Sequence, residues 1–121
     1  MPVSVRDVDW LTFAPAFMER IWGGRRLESV LGFELPPRTS VGEAWLLADH
    51  PVHESRVADG PLAGRSLREL TAAEPEAVLG HAQPTAGGRF PLLLKLLDAR
   101  DDLSVQVHPD DALAAELGES D

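Results

Sequence analysis

The chain has 121 residues, 44% of them hydrophobic, and sets 11 basic against 20 acidic side chains for a formal charge of −9. One modest domain is the most this length supports, and a domain of that size buries roughly two thirds of the surface its unfolded chain exposes. With no cysteine, disulfide frameworks and thiolate metal sites are excluded, and the acidic balance disfavours nucleic acid and anionic membranes as partners.

In chain order, residues 1–10 include Arg6, Asp7 and Asp9, so they lack the apolar stretch of a signal peptide. No later run approaches the ~18 apolar residues of a membrane span. A soluble, cytoplasmic protein is expected. Residues 17–22 read as a strand stopped by Gly23-Gly24, and residues 26–31 leave room for one or two helical turns before Gly32. Pro36-Pro37 forces an extended loop. Residues 41–48 and 55–58 read as strands, the second running into a turn at Asp59-Gly60-Pro61.

Ser66-Leu67-Arg68-Glu69 fits a capping box, in which hydroxyl and carboxylate each satisfy an orphan backbone N–H. It predicts a helix over residues 67–73, with a further turn over 75–79 closed by Gly80. Residues 81–89 form a loop. Residues 91–98, PLLLKLLD, have the length and apolarity of a strand buried on both faces. Residues 103–108, LSVQVH, alternate strictly, which sets Leu103, Val105 and Val107 on one face and Ser104, Gln106 and His108 on the other. The acidic turn between these two strands suggests a hairpin. Pro109 stops the second strand and opens a short helix to about residue 117. The seven acids of residues 101–121, with no Lys or Arg among them, read as a solvated face.

Lys95 is the sole lysine and lies in the most apolar run. A lysine where burial is costly needs a partner or a task. The alternative is a stem packed on the sheet with its ammonium reaching water or an edge partner such as Asp98. Gln106 and His108, two apart on one strand, have side chains that can converge on one ion. Neutral imidazole is a good Zn²⁺ ligand, and a Gln carbonyl serves where carboxylate or imidazole completes the set. A solvated strand face or a hydrogen-bonded pair would show the same pattern. Glu43, two before Trp45, is a candidate inward-facing carboxylate. Trp22 and Trp45 read as core or rim aromatics, or as the flat wall of a sugar site. His50, His53 and His81 read as loop residues, and Gly23-Gly24 as a turn with no nucleotide role.

Four motifs then combine. Arg20-Ile21-Trp22-Gly23-Gly24, Gly42-Glu43-Ala44-Trp45, FPLLLKLLD over residues 90–98 and LSVQVHPDD over residues 103–111 occur in the order and approximate spacing of type I phosphomannose isomerases. From about Phe13 onward the chain resembles the N-terminal part of such an enzyme.

The resemblance implies a mainly β fold, a cupin-type β-barrel (jelly roll) with a few short helices. Residues 1–121 would be the N-terminal part of a single domain, incomplete before the barrel closes. It implies interconversion of mannose 6-phosphate and fructose 6-phosphate through an enediol, with one catalytic zinc. By position, Gln106 and His108 match the first two metal ligands, and Trp22, Glu43, Lys95 and Ser104 match residues lining the substrate pocket. Lys95 and Glu43 would be catalytic, and Trp22 and Ser104 substrate-binding. The third and fourth ligands are expected beyond residue 121. A sugar phosphate is the implied partner, and the oligomeric state is open. The competing readings are a non-catalytic cupin-like module binding a sugar phosphate or metal, and a structural remnant without a ligand.

Overall fold

A computed structural model describes residues 2–118. A 3-10 turn at Val5–Asp7 is followed by β1 (Ala16–Gly24), α1 (Arg26–Ser29), β2 (Val41–Leu47), α2 (Leu67–Ala73), α3 (Pro75–Leu79), β3 (Leu94–Leu97) and α4 (Asp111–Glu116). The strands form one antiparallel sheet in the order β1-β2-β3. The cupin-type barrel expected of the complete domain is not closed among these residues, and the sheet-plus-short-helix architecture agrees with the incomplete fold read from the sequence.

Register separates two faces. Phe17, Ala44 and Leu96 lie in one cross-strand row, and this face packs on Leu27 of α1 and on Phe33 and Leu35 of the following loop. The neighbouring rows, Met18–Glu43–Leu97 and Ala16–Trp45–Lys95, point the other way because side chains alternate at period two. A second core unites Val57, Leu62 and Leu70 with Val5, Val8, Leu11, Phe13 and Val78. The capping box works as expected: Ser66 Oγ accepts from Glu69 N at 3.0 Å, and Glu69 Oε2 from Ser66 N at 3.1 Å. Gly80, at φ +60°, closes α3.

Glycines allow the sheet to bend tightly. A Cβ on Gly23 would lie 2.4 Å from the Gly42 backbone nitrogen, and one on Gly42 would lie 2.6–2.7 Å from the Arg20 stem and the Trp22 ring. The β1–β2 register skips Gly42 between the Met18–Glu43 and Glu19–Val41 pairs, a bulge placed where no side chain obstructs it. Gly23-Gly24 thus forms the last two residues of β1, which runs to Gly24 and does not end before the pair as expected.

Four further sequence expectations are corrected. Residues 55–58 form isolated bridges, Phe13–Val57 and Arg56–Ser66, in place of a strand. The apolar run near residue 95 is not buried on both faces: β3 is an edge strand with β2 its one neighbour among the described residues, and Leu92, Leu94 and Leu97 are more than half exposed. Residues 103–108 are not a strand, and no hairpin forms, because no described strand offers them a ladder; Val105 and Val107 are 99% and 89% exposed. The last helix starts two residues later than expected, at Asp111 and not Pro109, since the Asp110 side chain caps it by accepting from Leu113 N at 2.9 Å.

Candidate functional site

The solvent-facing side of the sheet carries a polar cluster centred on Glu43. This residue is 6% exposed, and three donors from three strands converge on its carboxylate. Trp45 Nε1 donates to Oε2 at 2.8 Å, Arg20 donates to the same oxygen at 3.2 Å, and Lys95 Nζ donates to Oε1 at 3.1 Å. Buried carboxylates persist as anions only when so satisfied. Burial pushes the Glu43 carboxyl up, but the Trp45 hydrogen bond, the hydrogen bond and charge of Lys95 and the charge of Arg20 together hold it below its ordinary value.

Lys95 is carried there by register: it pairs with Trp45 across β2–β3, and its ammonium lies 5.9 Å from the Trp45 ring centroid, within cation–π reach. Its partner is therefore Glu43, not Asp98. Asp98 faces elsewhere, where its buried carboxylate accepts from Arg26 N at 2.7 Å and so caps α1. About a third of the Lys95 side chain stays open to solvent, so the ammonium keeps donors to offer.

Trp22 and Ser104 come together in an open concavity of about 360 Å³, lined also by Ile21, Asp101 and Asp102. The Trp22 carbonyl anchors this side by accepting from Arg100 N at 2.8 Å and Asp101 N at 3.2 Å. Ser104 Oγ accepts from Gln106 Nε2 at 3.2 Å. That bond occupies the amide nitrogen and leaves the amide oxygen, the atom a metal would use, uncommitted. His108 lies in the same exposed segment.

A Gln amide oxygen and an imidazole are chemically suited to zinc, but a catalytic zinc takes three protein ligands. Among the described residues no three His, Asp, Glu or Cys side chains gather as a metal cluster. Gln106 and His108 thus fit two positions of such a site and do not complete it.

The histidines outside this segment lie in turns. His50 and His53 exchange backbone hydrogen bonds at 3.0–3.1 Å, and His50 packs edge-on against Trp45 with ring centroids 5.3 Å apart. His81 is exposed.

Two contributors carry no sequence signal. Arg20 sits inside a motif whose conspicuous members are Trp22 and the glycines, and only the bulge at Gly42 brings it over Glu43. Asp49, its side chain fully buried, accepts from Arg89 at 2.8 Å and from Phe90 N at 2.9 Å, and so fixes the approach of the chain to β3 and Lys95. Both pairings span sequence gaps that no local pattern encodes.

Residues 11–121 match the family model described as phosphomannose isomerase type I, catalytic domain. A mannose-6-phosphate isomerase of Streptococcus mutans is 45% identical over 98 residues, covering 81% of this chain and 29% of that protein. The mannose-6-phosphate isomerase ManA of Bacillus subtilis is 42% identical over 116 residues, covering 92% and 35% respectively. A crystal structure of mannose 6-phosphate isomerase from Bacillus subtilis superposes with a TM-score of 0.77 at 44% identity, covering 88% of this chain and 32% of that one. The chain spans about a third of the length of the curated relatives it matches. With a family model matched over most of its residues and a shared fold at this identity, the chain belongs to the type I phosphomannose isomerases, within their catalytic domain.

Proposed function

We propose that this chain is the N-terminal part of a single cupin-type domain that interconverts mannose 6-phosphate and fructose 6-phosphate in the cytoplasm. The observation that carries the reading is the cationic Lys95, held at 3.1 Å on buried Glu43 and still open to solvent on the same sheet, in a chain of this family.

Moving a carbonyl between C1 and C2 takes a proton off one carbon and returns one to the other through an enediol, and negative charge develops on oxygen along the way. A positive group fixed beforehand near that oxygen lowers the barrier. Lys95 supplies such a charge. Glu43, with donors on both oxygens and its carboxyl held below the ordinary value, is a weak base; in this reading it orients Lys95 and does not carry the proton. Trp22 walls the substrate side, and Ser104 offers a hydroxyl that accepts from Gln106 and can donate to a substrate oxygen. Gln106 and His108 would hold a zinc ion together with ligands from the remainder of the domain, and that ion would add Lewis-acid charge at the carbonyl.

The test is a coupled assay of mannose 6-phosphate isomerisation with added zinc. It is run on the full reading frame that contains this segment and on its His108→Ala variant. Turnover by the parent and loss of about 100-fold or more in the variant support the reading, since removing a first ligand undermines the ion. Binding of fructose 6-phosphate without turnover would favour a sugar-phosphate-binding module.

A further inference from the structure

Arg20 is the one charged neighbour of Glu43 to which no role has yet been given. Its guanidinium is held at two points, donating to Glu43 Oε2 at 3.2 Å and to the Glu19 carbonyl at 2.9 Å. Its stem lies against Gly42, so closely that a Cβ there would meet Arg20 Cβ at 2.6 Å and Cγ at 2.7 Å. The glycine, the register skip and the backbone bond from Arg20 N to the Ser40 carbonyl at 3.0 Å all serve to lay this one long side chain over the carboxylate.

The consequence falls on Lys95. Oε2 already accepts from Trp45 Nε1 and from Arg20, so the lysine is confined to Oε1. The two cations and one carboxylate sum to one net positive charge, within a chain whose total is −9. Without Arg20 the pair would sum to zero, and Lys95 would be free to bridge both carboxylate oxygens and turn its donors inward. We propose that Arg20 is a positioning residue: it holds one oxygen of Glu43 and thereby fixes the reach and leaves unneutralised the charge of Lys95. Its kinetic consequence rests on the isomerase reading above, whereas the contact itself does not.

The experiment uses the full reading frame, with Arg20→Met, which keeps length without charge, and Arg20→Lys, which keeps charge. The Trp45 indole N–H resonance, identified by its loss in Trp45→Phe, follows the ionisation of Glu43 because the indole donates to that carboxylate. The groups facing Glu43 are Arg20 from β1, Trp45 from β2 and Lys95 from β3. Removing one of its two cations should raise the pH midpoint of that resonance in Arg20→Met, and Arg20→Lys should return it towards the parent. In the same variants, kcat should fall about tenfold in Arg20→Met with KM within about twofold, because a misplaced charge is felt most in the transition state. Arg20→Lys should recover most of it.

An unchanged indole midpoint would overturn the proposal, as would a shifted midpoint with unaltered kcat. If Arg20→Met loses the dispersed spectrum of a folded protein, Arg20→Gln replaces it under the same criteria. A parent enzyme without turnover would sink the isomerase reading alone, and the indole titration would still decide whether Arg20 holds Glu43.

Discussion

Glu43 shows how a single carboxylate can organise a sheet face. A buried anion is tolerated because Trp45, Arg20 and Lys95 supply hydrogen bonds and charge, and its folded-state pKa is accordingly below its ordinary value. A group lowered on folding adds stability that is complete above its unfolded value and lost as pH falls through the folded one. Glu74 acts in the same direction through hydrogen bonds from Ser4 and Val5. The urea midpoint of unfolding should therefore drop between pH ~5 and ~3, and Glu43→Gln should flatten that drop while lowering the midpoint at neutral pH. Lys95→Met should reduce kcat by about 100-fold or more, as loss of a transition-state donor does, with the fold intact by circular dichroism. The pairing that gives Lys95 its role was only half legible in the sequence. Its isolation in an apolar run signalled a need for a partner, but naming Glu43 in place of the nearer Asp98 required the β2–β3 register.

At the level of elements, local chemistry was read well where it is self-contained. The capping box at Ser66 and Glu69, the Pro75 start and Gly80 stop of α3, and β2 are all written within a few neighbouring residues. Ser66→Ala should cost about 1 kcal/mol in urea unfolding, the usual value for a lost N-cap. Elements defined by distant partners were not legible. Alternation in residues 103–108 states which side chains share a face if a strand forms, but a strand also needs a neighbour, and none of the described residues provides it. Gly23 reads as a turn residue from sequence because glycine pairs usually are. Its role is instead to let β1 lie so close to β2 that a Cβ there would meet the Gly42 backbone nitrogen at 2.4 Å. Gly23→Ala should destabilise by the upper part of the ~1–3 kcal/mol typical of overpacking, measured by urea unfolding.

For the whole molecule, the sheet presents one covered face and, along β3, an exposed apolar edge. Phe17, Ala44 and Leu96 are packed against α1 and its following loop, while Leu92, Leu94 and Leu97 are exposed along β3 and the approach to it. An uncovered apolar edge pairs readily with other chains. The 121-residue chain on its own should associate in a concentration-dependent way by analytical ultracentrifugation, and Leu92→Lys with Leu94→Lys should suppress that association.

The family resemblance was carried by four segments: the turn-tight β1, the Glu43–Trp45 pair, the Lys95 strand and the Gln106–His108 stretch. In the proposed reading the last of these would supply two donors towards a zinc site. The claim that joins residue, sheet and family is that this face converts a sugar phosphate. The most direct test is to follow [2-13C]mannose 6-phosphate by NMR with the full reading frame and its Lys95→Met variant. The labelled carbon should move from the alcohol region to that of the anomeric carbon of fructose 6-phosphate with the parent and barely do so with the variant. A parent that binds the sugar phosphate and leaves the label where it began would contradict it.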